Sequence, residues 1–154
     1  MSLAEKAKRL AEVEKQHMPV DWNAERDWWL ATLDALYREI EGWLAPLKQQ
    51  GTIAIKRLPV RLSEENIGVY TTDSLVLEFG LHGIVLEPKG TLIVGARGRV
   101  DVFRRGSRGE PIMLILSGPN DAPRWEIWTT RDPRHRKPMD QPSFEGVLES
   151  MLET

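Results

Sequence analysis

Apolar and polar positions divide the chain by their period. Over residues 3–50 apolar side chains recur at three- and four-residue intervals, and Ala, Glu, Lys and Leu dominate around a single glycine, Gly42. This pattern predicts helices. The clearest stripe is Trp29, Leu33, Leu36, Ile40, Trp43 and Leu47, with Leu30, Tyr37 and Leu44 widening one flank. So broad a face exceeds what a two-stranded coiled coil needs and predicts packing on a sheet. Asp21 is the expected N-cap, its carboxylate accepting from orphan amides at the positive end of the helix dipole. The helix is expected to stop near Pro46 or Gly51, because Pro46 removes a donor and disfavours helical geometry at Ala45. An earlier helix is expected from about Ala4 to His17. Leu3, Ala7, Leu10 and Ala11 share one of its faces, but alanine buries little area, so the helix reads as loosely docked or partner-contacting.

From Gly51 to about Thr130 short apolar runs alternate with Gly, Pro, Asn and Asp, the pattern of strands and turns. Strands are expected at Thr52–Lys56, Val60–Leu62, Leu75–Phe79, Gly83–Glu87, Leu92–Phe103, Ile112–Ser117 and Arg124–Thr129. Links such as Gly80-Leu81-His82-Gly83, Pro88-Lys89-Gly90 and Gly118-Pro119-Asn120-Asp121 are too short for parallel crossovers, so neighbours should pair as hairpins. The run Ile112 to Leu116 is apolar on both faces and belongs in the middle of the sheet. Gly95 and Gly98 suggest a bulge or bend. After a basic loop at 131–139, a last helix is expected at 140–153. There Phe144, Val147, Leu148, Met151 and Leu152 form an apolar stripe opposite Glu145, Glu149 and Glu153.

The predicted class is α+β in one domain spanning 1–154, with helical residues 3–50 and sheet residues 51–130. It is an antiparallel β-meander of about five to seven strands, covered by a long amphipathic helix from the N-terminal half, with a short C-terminal helix. A length of 154 residues, 41% of them hydrophobic, suits one such core. The absence of cysteine removes disulfides, thiolate metal sites and cysteine nucleophiles, and it suits a reducing compartment. With no apolar window long enough for a membrane span and no signal-peptide pattern at the start, a cytoplasmic, non-membrane protein is expected.

Charge changes the picture more than composition does. The formal net charge is −2, but residues 91–138 hold ten bases and five acids, whereas residues 139–154 hold four acids and no base. If Leu92–Phe103 is one strand, Arg97, Arg99, Asp101 and Phe103 face away from Val100 and Val102. Arg104 and Arg105 then follow at the hairpin tip, and Arg134, Arg136 and Lys137 lie in the densest basic loop, beside Trp125 and Trp128. Arg97, Arg99, Arg104, Arg105, Arg134, Arg136 and Lys137 are therefore the candidate anion- or nucleic-acid-binding residues, with indoles available for base stacking. The competing reading is that they are solvated, or paired with one another's neighbours or with the glutamates of the last helix. Trp22 and Trp28 fall off the helical seam. They are candidate interface residues if exposed together, and packing against the first helix explains them equally simply.

Catalytic and metal patterns are missing. His17, His82 and His135 stand apart, without metal-ligand spacing, and no GxSxG elbow or P-loop occurs. The strings Gly95-Ala96-Arg97-Gly98 and Gly80-Leu81-His82-Gly83 open no helix and read as turn or bulge glycines. No catalytic residue, metal or cofactor is assigned, and the chain reads as leaning away from enzymes. Its leading expectation is a non-catalytic interaction protein (adaptor, immunity or chaperone-like) acting on a protein partner or on itself as a homodimer. One alternative is a nucleic-acid-binding module that uses the basic surface. Another is a binder of, or enzyme on, a small anionic ligand, with Arg97, Arg99 and His82 around a cleft.

Overall fold

The computed structural model describes residues 2–16, 20–91 and 96–153. Helices α1 (Leu3–Gln16) and α2 (Trp22–Gln49) precede seven strands: β1 (Ala54–Glu64), β2 (Gly68–Phe79), β3 (His82–Gly90), β4 (Gly98–Arg104), β5 (Ile112–Ser117), β6 (Arg124–Trp128) and β7 (Arg136–Pro138). Helix α3 (Gln141–Leu152) ends the chain's ordered elements. Spatial order equals chain order from β1 to β7, and every neighbouring pair is antiparallel. The α+β meander expected from short links and alternating period is thus the observed fold.

The helical seam meets the sheet as its width predicts. Trp29, Leu33, Leu36, Ile40 and Leu44 are buried against Leu75, Leu77, Ile84, Leu86, Val100, Val102, Leu114 and Leu116, and Phe144, Val147 and Leu148 of α3 close the far end. Asp21 caps α2 as expected, accepting from the amides of Asn23 and Ala24. Of the two expected ends, α2 takes the later one and passes through Pro46. The acceptor that proline leaves without its helical donor, the carbonyl of Gly42, belongs to an exposed residue and is not sealed in the core.

Several strand boundaries differ from expectation. The two short runs at 52–56 and 60–62 are one strand, β1, that continues across Pro59. This is tolerated because β1 is an edge, where a proline directs its missing N–H toward solvent and also blunts further pairing. Strand β2 starts at Gly68, seven residues before Leu75, because the polar stretch Gly68 to Ser74 pairs with β1. Pro88 to Gly90 is not a turn: β3 continues through it with a register shift between Pro88 and Gly90. The expected strand start at Leu92 to Gly95 lies outside the described residues, as does His17, and β4 begins at Gly98. Part of the basic loop is also sheet, since β7 pairs with β6 after a single 3-10 turn at Pro133–His135.

Gly98 marks a close approach. A Cβ there would stand 2.3 Å from Cζ3 of Trp29, so only glycine lets that indole lie flat on β4. The buried Trp29 ring donates its N–H to the Tyr70 hydroxyl at 3.1 Å and tilts against Trp125 with centroids 6.2 Å apart. Tyr70 in turn donates to the Glu64 carboxylate, which also accepts from the amide and hydroxyl of Thr91. This chain of donors ties α2 to β1, β2 and the segment after β3. At the other margin, Arg57 on β1 fastens the edge strand to α2 by donating to Asp34 at 2.7 Å and to Glu41 at 2.8 Å.

Candidate functional site

Alternation along β4 settles which arginines share a face. Gly98, Val100 and Val102 are buried under the helices, so Arg99, Asp101 and Phe103 stand on the opposite face of the sheet, as the period-two pattern predicts. Arg99 is not free there. It grips Asp101, two residues on, with Nε at 2.6 Å and Nη2 at 3.1 Å, and Asp101 is only 5% exposed. Arg136 lies on the same face, its guanidinium 3.6 Å from the centroid of the Trp128 ring. Across the sheet Asp101 pairs with Met113, Met113 with Trp128 and Trp128 with Arg136, so one row of side chains joins the two basic stretches.

The remaining candidates scatter. Arg97 leaves the strand face and lies 3.9 Å over the Trp28 ring, 3.5 Å from Glu25 and within hydrogen-bond reach of the Gly118 carbonyl. Arg104, at the other end of β4 and about 20 Å away by strand rise, donates to the Met151 carbonyl and to Nδ1 of His82. Arg97, Arg99 and His82 are therefore not brought around one cleft. Arg105 lies against Gly83, with Nη1 3.7 Å from Glu78. Arg134 pairs with Asp132 at 2.6 Å, and the hydrogen bonds it donates hold the Asp132 carboxyl below the usual carboxylate range. These neutralising acids come from Glu25, Glu78, Asp101 and Asp132, not from the glutamates of α3.

Trp22 and Trp28 do not form a common exposed patch. Both are half-buried, and Trp28 is engaged within the fold by donating to the Asn120 carbonyl at 3.1 Å beneath the Arg97 guanidinium. Trp125 and Trp128, three residues apart, point to opposite faces: Trp125 toward Trp29, and Trp128 toward Arg136.

Lys137 sits differently. Met139, just after β7, still donates its amide to the Trp125 carbonyl at 3.0 Å. Between this β6–β7 edge and Leu36 and Glu39 of α2 lies a depression of about 510 Å³ floored by Leu36, Pro123, Trp125 and Met139 and rimmed by Arg124 and Lys137. A second hollow of about 310 Å³ shares Leu36, Glu39, Pro123 and Trp125 and extends along α2 to Trp28 and Asn120. Together they make one groove on the flank of α2. Among the described residues neither Arg124 nor Lys137 has a carboxylate partner, whereas Glu39 and Glu126 also line the groove. An apolar floor with a few convergent charges is the general form of a binding site. Pro123, Met139 and Arg124 carry no sequence signal, because the groove gathers α2, the start of β6 and the end of β7 and does not arise from any spacing.

Among the described residues no group of His, Asp and Glu side chains is placed to hold a metal, and no helix is long and apolar enough to cross a membrane. No family model matches the chain, and neither a curated protein nor a solved structure does.

Proposed function

We propose that this chain is a non-catalytic binding protein that captures a segment of a partner protein in the groove between α2 and the β6–β7 edge. The supporting observation is the composition of that groove: an apolar floor of Trp125, Pro123 and Met139 beside two cations, Arg124 and Lys137, that are not neutralised among the described residues. An extended segment presenting an apolar side chain next to a carboxylate fits this surface. A nucleic-acid strand fits it less well, because its phosphates repeat along the backbone and would meet Glu39 and Glu126 as well as the two cations, where a peptide brings a single carboxylate. Among the described residues, six of the seven arginines and lysines picked out along the chain, all but Lys137, are also held by internal partners.

The test is selection of peptides from a random display library, followed by anisotropy with labelled winners. Enrichment of apolar–acidic segments is expected, with binding weakened roughly tenfold, about 1.4 kcal/mol, by the double substitution Arg124→Glu/Lys137→Glu. Oligonucleotides should not bind at ~50 mM salt, where phosphate contacts are strong. Steeply salt-dependent oligonucleotide binding, or peptides indifferent to the double substitution, would overturn the reading. A small anionic ligand is the second reading, since a volume of about 510 Å³ lies within the usual range of small-molecule sites. Retention of small dicarboxylates or phosphates in dialysis, lost in the same double variant, would select it.

A further inference from the structure

We infer that the N-terminal helix α1 of a second copy of this chain docks into the apolar groove between the end of α2 and α3. Two unmatched surfaces lead to this. The first is α1 itself. All its side chains described over residues 3–11 are exposed, including Leu3 at 84% and Leu10 at 65%. A lone helix of 14 residues is marginal in water, so its apolar stripe needs a partner. Leu3, Ala7 and Leu10 make the stripe, Lys6 flanks it on one side with Arg9 beyond it on that same side, and Lys8 and Glu5 fall toward the opposite face by helical period.

The second surface is a hollow of about 390 Å³ floored by Trp43, Leu47, Phe79 and Leu152 and edged by Glu145 and Glu149. Helix α3 carries no basic residue, and neither glutamate has an ion-pair partner among the described residues. Over residues 3–11, α1 carries three bases against one acid. Apolar stripe meets apolar floor and basic flank meets acidic rim. The stripe from Leu3 to Ala11 rises about 12 Å, which fits within the roughly 18 Å length of α3.

Chain geometry favours a second copy over self-docking. Five residues, 17–21, separate α1 from α2. For α1 to reach Trp43 of its own chain, residues 17–21 would have to run nearly fully extended along α2, about 17 Å, whereas a second copy needs no such stretch. Reciprocal exchange between two chains satisfies both helices and both grooves with twofold symmetry, a low-cost route to a dimer. The surface lies toward the other end of α2 from Trp28 and Trp125, so it stands or falls separately from the partner-binding groove.

Sedimentation equilibrium of the full chain over about 1–200 µM should show a reversible dimer. Leu3→Asp/Leu10→Asp, Lys6→Glu/Arg9→Glu and Glu145→Lys/Glu149→Lys should each weaken it tenfold or more while leaving the circular dichroism spectrum folded. Mixing the Lys6→Glu/Arg9→Glu chain with the Glu145→Lys/Glu149→Lys chain should restore a dimer, because both exchanged contacts then regain opposite charges. Carbodiimide coupling of isotopically mixed chains should join Lys6 to Glu145 or Glu149 between copies. A monomer at every concentration, a dimer indifferent to all three variants, failure of the mixture to associate, or coupling confined within single chains would overturn the inference.

Discussion

Replacing Gly98 with alanine puts a methyl group where the Trp29 ring already stands. The new Cβ would lie 2.3 Å from Cζ3, 2.8 Å from Cη2 and 3.0 Å from Cε3, against an ordinary carbon–carbon contact of about 3.5–4.0 Å. The ring would have to withdraw by more than an ångström. It has no room to do so, being fully buried, hydrogen-bonded to Tyr70 and tilted against Trp125. Overpacking of this kind costs about 1–3 kcal/mol, and pulling the indole N–H from the Tyr70 hydroxyl adds about 1–3 kcal/mol. The smaller entropy of an unfolded alanine returns roughly 0.5–1 kcal/mol. A net loss of about 2–4 kcal/mol is expected, read from urea unfolding followed by far-ultraviolet circular dichroism. The decisive arm is a cycle with Trp29→Leu, which removes the obstructing ring: in that background Gly98→Ala should cost little, leaving a coupling of about 2 kcal/mol or more. Equal costs in both backgrounds, or a neutral Gly98→Ala, would refute the close-approach reasoning.

Two further outcomes concern the clamp between β1 and α2. Arg57→Met should lower stability by about 1–2 kcal/mol, since it removes two partly exposed ion pairs and leaves Asp34 near Glu41. The deficit should shrink in ~1 M salt, where exposed charges are screened; a salt-independent loss would point to packing instead. The Asp34 carboxyl is held below its ordinary value of 3.8, first by the hydrogen bond from Arg57 and then by the positive charges of Arg38 and Arg57, with burial opposing. A depressed folded value stabilises the protein above the unfolded value and loses that contribution as pH falls through the folded one. The advantage of the parent over Asp34→Asn should therefore be constant above about pH 5 and should fade below 3.8. Parallel acid-denaturation curves for the two proteins would contradict this.

Most of the fold was legible along the chain because it rests on period. A seam at Trp29, Leu33, Leu36, Ile40 and Trp43 demanded a sheet, and hairpin-length links demanded a meander. The boundaries that escaped were those where tertiary pairing overrides local preference. Gly68 to Ser74 is polar yet extended because β1 offers it partners. Pro59 interrupts no strand because it lies on an edge, and Pro88 sits within one because the sheet absorbs it with a register shift.

The candidate site was less legible. Alternation placed Arg99, Asp101 and Phe103 on one face, but it carried no information about ion pairing. The acid that neutralises Arg99 stands two residues away on its own strand, and the one that neutralises Arg97 comes from α2. Lys137 was reachable as part of a basic run. Met139 stands two residues on, but Leu36 and Pro123 belong to distant stretches, and only the packing of α2 beside the β6–β7 edge gathers them.

The order in which the chain leaves a ribosome gives the far end of α2 a particular burden. Trp43 finishes its contacts on Phe144, with ring centroids 5.9 Å apart, and Leu44 and Leu47 share that neighbourhood. About a hundred residues must be polymerised after α2 before that aromatic lid arrives. At roughly 5–20 residues per second this takes about 5–20 s. Throughout that interval the end of α2 that carries Trp43 and Leu47 lacks its partners from α3. A chain truncated before residue 141 is therefore expected to expose those side chains.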